Sequence, residues 1–185
     1  MDAPLPAGQP VIVGRMGVNA QARRDFAVSC APMPELPPPP RVVIDTQVVM
    51  DWLVFNDVRA RPLIEALLAG KVRWIGHSAM LDELKHVLGR GVAAAYGPDL
   101  ALVERTFAEH CEMIEREPAS ALRLVCRDKD DQKFIDLAIA ETAAWLISRD
   151  RAVLALAKRA RAAGLEIGTP EDWLKKQQDR HRGQP

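Results

Sequence analysis

Four carboxylates stand where hydrophobic burial would not place them. Asp45 ends the apolar run Arg41-Val42-Val43-Ile44. Glu83 borders the helical stripe of Met80, Leu84 and Val87, roughly 60° from its centre by the helical step. Asp131 is surrounded in helical projection by Phe134, Ile135, Ala138, Ile139 and Thr142. Asp150 follows Trp145-Leu146-Ile147-Ser148 directly. A carboxylate held against apolar surface costs free energy unless it is paired or binds a cation. Hard cations such as Mg²⁺ prefer oxygen ligands and keep several waters, so three or four carboxylates suffice to hold one. The chemistry open to such a group is metal-assisted hydrolysis, in which the cation activates water and offsets charge on a phosphate.

Each acid also has a plainer reading. Asp45, Asp131 and Asp150 all precede helical segments and could be N-caps. Glu83 could be a surface acid paired at helical spacing, but Lys85 and His86 lie poorly for that. A shared site requires the four carboxylates to converge on one metal-sized space. Asp128 and Asp130 read as a cap and a loop acid.

The elements that must position these acids follow from the apolar pattern. Strands are expected at 41–44, 72–75, 122–125, 145–148 and 165–167. Helices are expected from 46 to about Phe55, around Leu63 to Leu68, from Ser78 to Gly89, from Pro98 to Glu115, from Asp131 to Thr142 and from Ala152 to Ala163. A last short helix starts at Thr169-Pro170, with Pro at its first position. Short strands alternating with helices predict an α/β fold with a parallel sheet. Ligands of such sheets gather outside the carboxyl ends of the strands, where Asp45 and Asp150 fall.

Residues 1–40 are different. They hold nine of the 14 prolines and end in Pro37-Pro38-Pro39-Pro40, which predicts a disordered arm. Residues 41–175 then form the folded domain and 176–185 a polar tail. Lys plus Arg and Asp plus Glu are 25 each, so no global field attracts nucleic acid. A local patch from Arg149, Arg151, Lys158, Arg159 and Arg161 could still follow a phosphate backbone. Cys30, Cys111 and Cys126 are too scattered for a disulfide framework or a CxxC zinc site. The histidines have no metal spacing, and no nucleophile elbow or phosphate-cradling glycine loop is present. The four tryptophans read as packing residues. No run approaches the ~18 apolar residues of a membrane span. A soluble, cytoplasmic protein without nucleotide cofactor is expected.

The ordered set Val42-Val43-Ile44-Asp45-Thr46-Gln47-Val48-Val49, Met80-Leu81-Asp82-Glu83-Leu84, Asp128 to Ala138 and Trp145 to Asp150 resembles a PIN domain. PIN domains of this kind occur as toxin components of bacterial toxin–antitoxin pairs. The resemblance runs from Arg41 to about Leu174. It implies a three-layer α/β/α nuclease fold with a central parallel sheet of about five strands. It further implies hydrolysis of single-stranded RNA with Mg²⁺ or Mn²⁺ held by Asp45, Glu83, Asp131 and Asp150, an antitoxin protein as partner, and a homodimer. One departure stands at Gln47, where the family usually has Asn. If that amide orients Asp45 or a metal-bound water, activity would fall. The alternative is a PIN-fold RNA- or protein-binding module with weak or no catalysis.

Overall fold

The computed structural model describes residues 37–91, 93–116 and 124–183. Apart from residues 37–40, the expected disordered arm lies outside them, as do Leu122 and Arg123 of the expected third strand. The strands are β1 (Arg41–Ile44), β2 (Arg73–Gly76), β3 (Cys111–Met113), β4 (Trp145–Ile147) and β5 (Glu166–Gly168). The helices are α1 (Thr46–Leu53), α2 (Arg61–Leu68), α3 (Ser78–Gly89), α4 (Leu100–His110), α5 (Gln132–Ala140), α6 (Arg151–Leu154), α7 (Ala157–Arg161) and α8 (Pro170–Arg182).

The strands form one parallel sheet in the order β3-β2-β1-β4-β5. Val42 pairs with Trp74 on one side and Trp145 on the other. Successive strand residues face opposite sides, so a strand covered on both reads as a continuous apolar run. Val42 and Ile44 join Trp74, Trp145, Phe107 and Trp173 in one core. Val43, Ile75 and Leu146 join Phe134, Ile135 and Leu137 in the other. Two cores on one sheet make the expected three-layer α/β/α fold. Trp74, Trp145 and Trp173 are buried packing residues, as expected, and Trp52 is half-buried with its ring edge toward Trp74. Among the described residues, no helix is long and apolar enough to cross a membrane.

The third strand is not where the pattern predicts it. It is Cys111–Met113, paired with β2 through Trp74 to Cys111 and Gly76 to Met113. Phe107, Cys111 and Ile114 fit helical spacing, which hides an edge strand abutting α4 with no loop between. The apolar stretch at Leu124 satisfies its backbone differently. The Gln132 amide donates to the Leu124 carbonyl at 2.9 Å and accepts from the Cys126 N–H at 2.8 Å. One side chain thus supplies the pair of bonds a neighbouring strand would have made. Two helix ends also move. α5 stops at Ala140, and Thr142 turns outward at φ +49°. α8 runs to Arg182, into the residues from 176 expected as a polar tail, started by a Thr169–Asp172 capping box and tied down by Lys176, which pairs with Glu166.

β2 ends in a glycine because its neighbour leaves no room. A Cβ on Gly76 would sit 2.7 Å from Cys111 Sγ. Gly76→Ala should therefore cost about 1–3 kcal/mol, the usual cost of overpacking. Adding Cys111→Ala should recover most of that loss, read as the urea midpoint of the two variants.

Candidate active site

From β1 the chain builds β2 and β3 on one side, then returns to build β4 and β5 on the other. Strand order reverses between β1 and β4, and loops leaving the carboxyl ends there open a crevice. Asp45 is the first residue after β1, and its N–H still donates to the Ile147 carbonyl at 3.0 Å. Ser148, Arg149 and Asp150 are the first residues after β4. The topology therefore delivers Asp45 and Asp150 to one place.

Asp45 is buried, and both its oxygens are used. Oδ1 accepts from the Gln47 N–H at 2.9 Å, and Oδ2 accepts from the Ser148 hydroxyl. The fully buried Ser148 Oγ in turn accepts from the Asp150 N–H at 2.9 Å. Asp150 Oδ1 accepts from the N–H groups of Ala152 at 2.6 Å and Val153 at 3.4 Å. Asp45 and Asp150 are thus true N-caps, and a cap keeps its carboxylate fixed beside the crevice. The cap role does not exclude the site role expected from the sequence.

Asp131 is different. It precedes α5 with helical backbone angles, and its side chain makes no capping bond. Burial pushes its carboxyl up to about 6, helped by the charges of Asp45, Asp150, Asp128 and Glu83. Burial also raises Asp45, against the lowering bonds from Ser148 and Gln47, with Glu83 and Asp150 adding to the rise. Asp131 therefore lies within the fields of the other three acids, and Asp45 within those of Glu83 and Asp150.

Two ion pairs around these acids escape sequence reasoning. Glu83 finds its cation on another helix, where Lys133 Nζ lies 2.6 Å from Glu83 Oε2. Arg149 stands between Ser148 and Asp150 in sequence but reaches back to α1 and across to α8. Its Nε donates to Asp51 Oδ2 at 2.5 Å, and Nη1 donates to Glu171 at 3.0 and 3.1 Å. Asp51 is itself buried. Arg149 thus anchors the loop that carries Asp150 and is not available to follow a phosphate backbone. Arg161 is likewise paired, with Glu166 at 3.3 Å. Of the expected basic stretch, Arg151 borders the site: it lines an open cleft of about 850 Å³ with Arg127, Lys129 and Asp150, where Asp128 and Asp130 also lie.

Gln47 is exposed and reaches Asp45 through its backbone N–H, which any residue but proline supplies. The departure from Asn does not touch that bond.

The donor set fits a hard divalent cation in kind. It is all oxygen and anionic, and two buried oxygens, Thr46 Oγ1 beside Asp45 and Glu83 Oε2, have no hydrogen-bond partner. The Lys133 ammonium is close to Glu83 Oε2 but outside hydrogen-bond geometry. As the side chains stand, no three His, Cys, Asp or Glu residues among those described are grouped to hold a metal ion. Asp45 and Asp150 are held in place by their hydrogen bonds.

Among solved structures, the chain is similar to VapBC2 from Rickettsia felis, crystallised bound to a DNA fragment from their promoter. Identity is 17%, the TM-score is 0.48, and the match covers 69% of this chain and 98% of that chain. No curated protein matches the sequence. Residues 41–152 match the family model described as PIN domain. That span takes in all four acids, the crevice and four of the five parallel strands, and the chain belongs to the PIN domain family.

Proposed function

We propose that this chain is a divalent-metal-dependent endoribonuclease that cleaves single-stranded RNA, and that it is the toxin component of a toxin–antitoxin pair. The observation that carries the reading is Asp131, an acid without a capping bond whose carboxyl is pushed up to about 6 by burial and by the neighbouring acids. Such repulsion is a cost that a bound cation would relieve. Membership of the PIN domain family supports the nuclease class.

Asp45 and Asp131 would be the principal ligands of Mg²⁺ or Mn²⁺, Asp150 would complete the site, and Glu83 would bind the ion or orient the attacking water. A cation held there would supply Lewis-acid stabilisation of the phosphodiester and a lowered pKa for water. The protein's own part is to hold the acids still. The Ser148 hydroxyl fixes Asp45 and, through the Asp150 N–H, links the loops after β1 and β4. Arg149 fastens the second loop to α1 and α8. The partner would be a cognate antitoxin protein, and co-purification with the product of an adjacent small reading frame tests that part.

The test of the activity is cleavage of a single-stranded RNA by the wild-type chain with Mg²⁺ or Mn²⁺ and its loss in Asp131→Asn. Equal cleavage by both proteins would remove Asp131 from the site. The second reading, a binding module without turnover, is favoured by one observation: the acids are not grouped around an ion as they stand. Absence of Mn²⁺ binding in a calorimetric titration would decide for it.

A further inference from the structure

Lys133 lies on the first turn of α5, two residues after Asp131. Three contacts place its ammonium. Glu83 Oε2 is 2.6 Å away, the Asp130 carbonyl accepts a hydrogen bond from it, and the Phe134 ring centroid lies at 4.9 Å. Phe134 is buried in the core, so the ring is a fixed floor. A permanent positive charge is therefore built into the edge of the acidic group.

Glu83 faces two ways. Its charge raises both Asp45 and Asp131, which places it within their field. Its Oε2 is also buried against Lys133 without hydrogen-bond geometry. Such a contact is electrostatic and can be exchanged for another cation. Lys133 would not be stranded by the exchange, since the Asp130 carbonyl and the Phe134 face remain.

We propose that Lys133 is an internal counter-ion that competes with the divalent metal for Glu83 and so sets the metal concentration at which the site closes. This rests on the metal-dependent reading above. Without metal, the ammonium neutralises Glu83 and the acids stay ungrouped. A divalent ion held by Asp45, Asp131 and Asp150 would compete with Lys133 for the Glu83 carboxylate. Linkage is reciprocal: the pair weakens metal binding by the same factor by which metal weakens the pair.

The experiment is a double-mutant cycle on the full chain, read as the Kd for Mn²⁺ by titration calorimetry. Lys133→Met should bind Mn²⁺ about tenfold more tightly than wild type, within the usual range of coupling between sites. In the Glu83→Gln background the same change should alter Kd by less than about twofold, because the contested carboxylate is gone. Lys133→Arg keeps a cation beside Glu83 and should bind as wild type. A lysine that acts only through its general field would tighten binding equally in both backgrounds, and that result overturns the proposal, as does an unchanged Kd for Lys133→Met. Wild type that binds no Mn²⁺ at all overturns the metal reading and this proposal with it. Wild type that binds but is indifferent to Lys133 overturns the proposal alone.

Discussion

Asp131→Asn is expected to melt at a higher temperature than wild type at pH 7 in metal-free buffer, and to lose RNA cleavage by about a hundredfold or more, the usual cost of removing an electrostatic stabiliser. The two effects have one cause. The wild-type carboxyl sits at about 6 in the folded protein against an ordinary value of 3.8. Between those values the folded state holds a proton that the unfolded chain has released. Stability therefore falls as pH rises from about 4 to about 6 and is level above that window. The amide carries no charge to repel Asp45, Asp150 or Glu83, so the variant lacks this fall. The gap between the proteins should be near zero at pH 4 and full at pH 7. Because Asp131 is half-exposed, solvent screening reduces the effect to about 1 kcal/mol, or about 3 °C. Scanning calorimetry across pH 4 to 7.5 in chelator checks it, and parallel profiles for the two proteins would refute the repulsion.

The second large effect lies at the other end of the sheet. Glu141, 4% exposed just past α5, accepts from Arg41 Nη1 at 3.0 Å and from Arg116 Nε at 3.0 Å. Arg41 opens β1 and also donates to Glu112 at 3.1 Å, which in turn pairs with Arg73 at 3.3 Å. Removing one partner of a buried ion pair strands the other, and Arg41 Nε already lacks an acceptor. Glu141→Ala should therefore cost about 2–4 kcal/mol, toward the low side of a fully buried pair because Arg41 keeps Glu112 and some solvent. Glu141→Gln keeps the shape and should cost about half as much. Urea midpoints measure both. β1 is four residues long, so Glu141 is roughly 13 Å from the acids along the strand. Cleavage at low temperature should be unchanged, which separates this residue from the site.

The sequence made part of this legible. β1 and β4, at the centre of the sheet, are near-continuous apolar runs because both faces of each are covered. β3 is three residues at an edge, too short to show a period and preceded by a helix whose spacing continues through it. The run at Leu124 and Val125 has strand composition, yet its hydrogen bonds go to the Gln132 side chain, which no local pattern announces. Asp131 stood out in the sequence because apolar residues surround it in helical projection, and in the fold it is half-exposed. Lys133 was not seen as Glu83's partner because the pair joins two helices that only the fold brings together. Arg149 resembled a free surface cation, and its partner Asp51 lies 98 residues earlier. Gln47 looked like a defect, and the bond it gives Asp45 comes from its backbone.

The Ser148–Asp45 bond spans 103 residues and crosses the point where strand order reverses. A chain that has been synthesised only through α5 already contains Asp45, Glu83 and Asp131. It has neither the second wall of the crevice nor the hydroxyl that fixes the first acid. Closing so long a loop costs little extra free energy per added residue, but it makes the pairing of β1 with β4 a late, non-local event. The four acids can meet only after the chain has been made and folded through β4 and Asp150. A product stalled before β4 carries three of the acids and lacks both Ser148 and Asp150, so synthesis past Asp150 is a condition for bringing the four together.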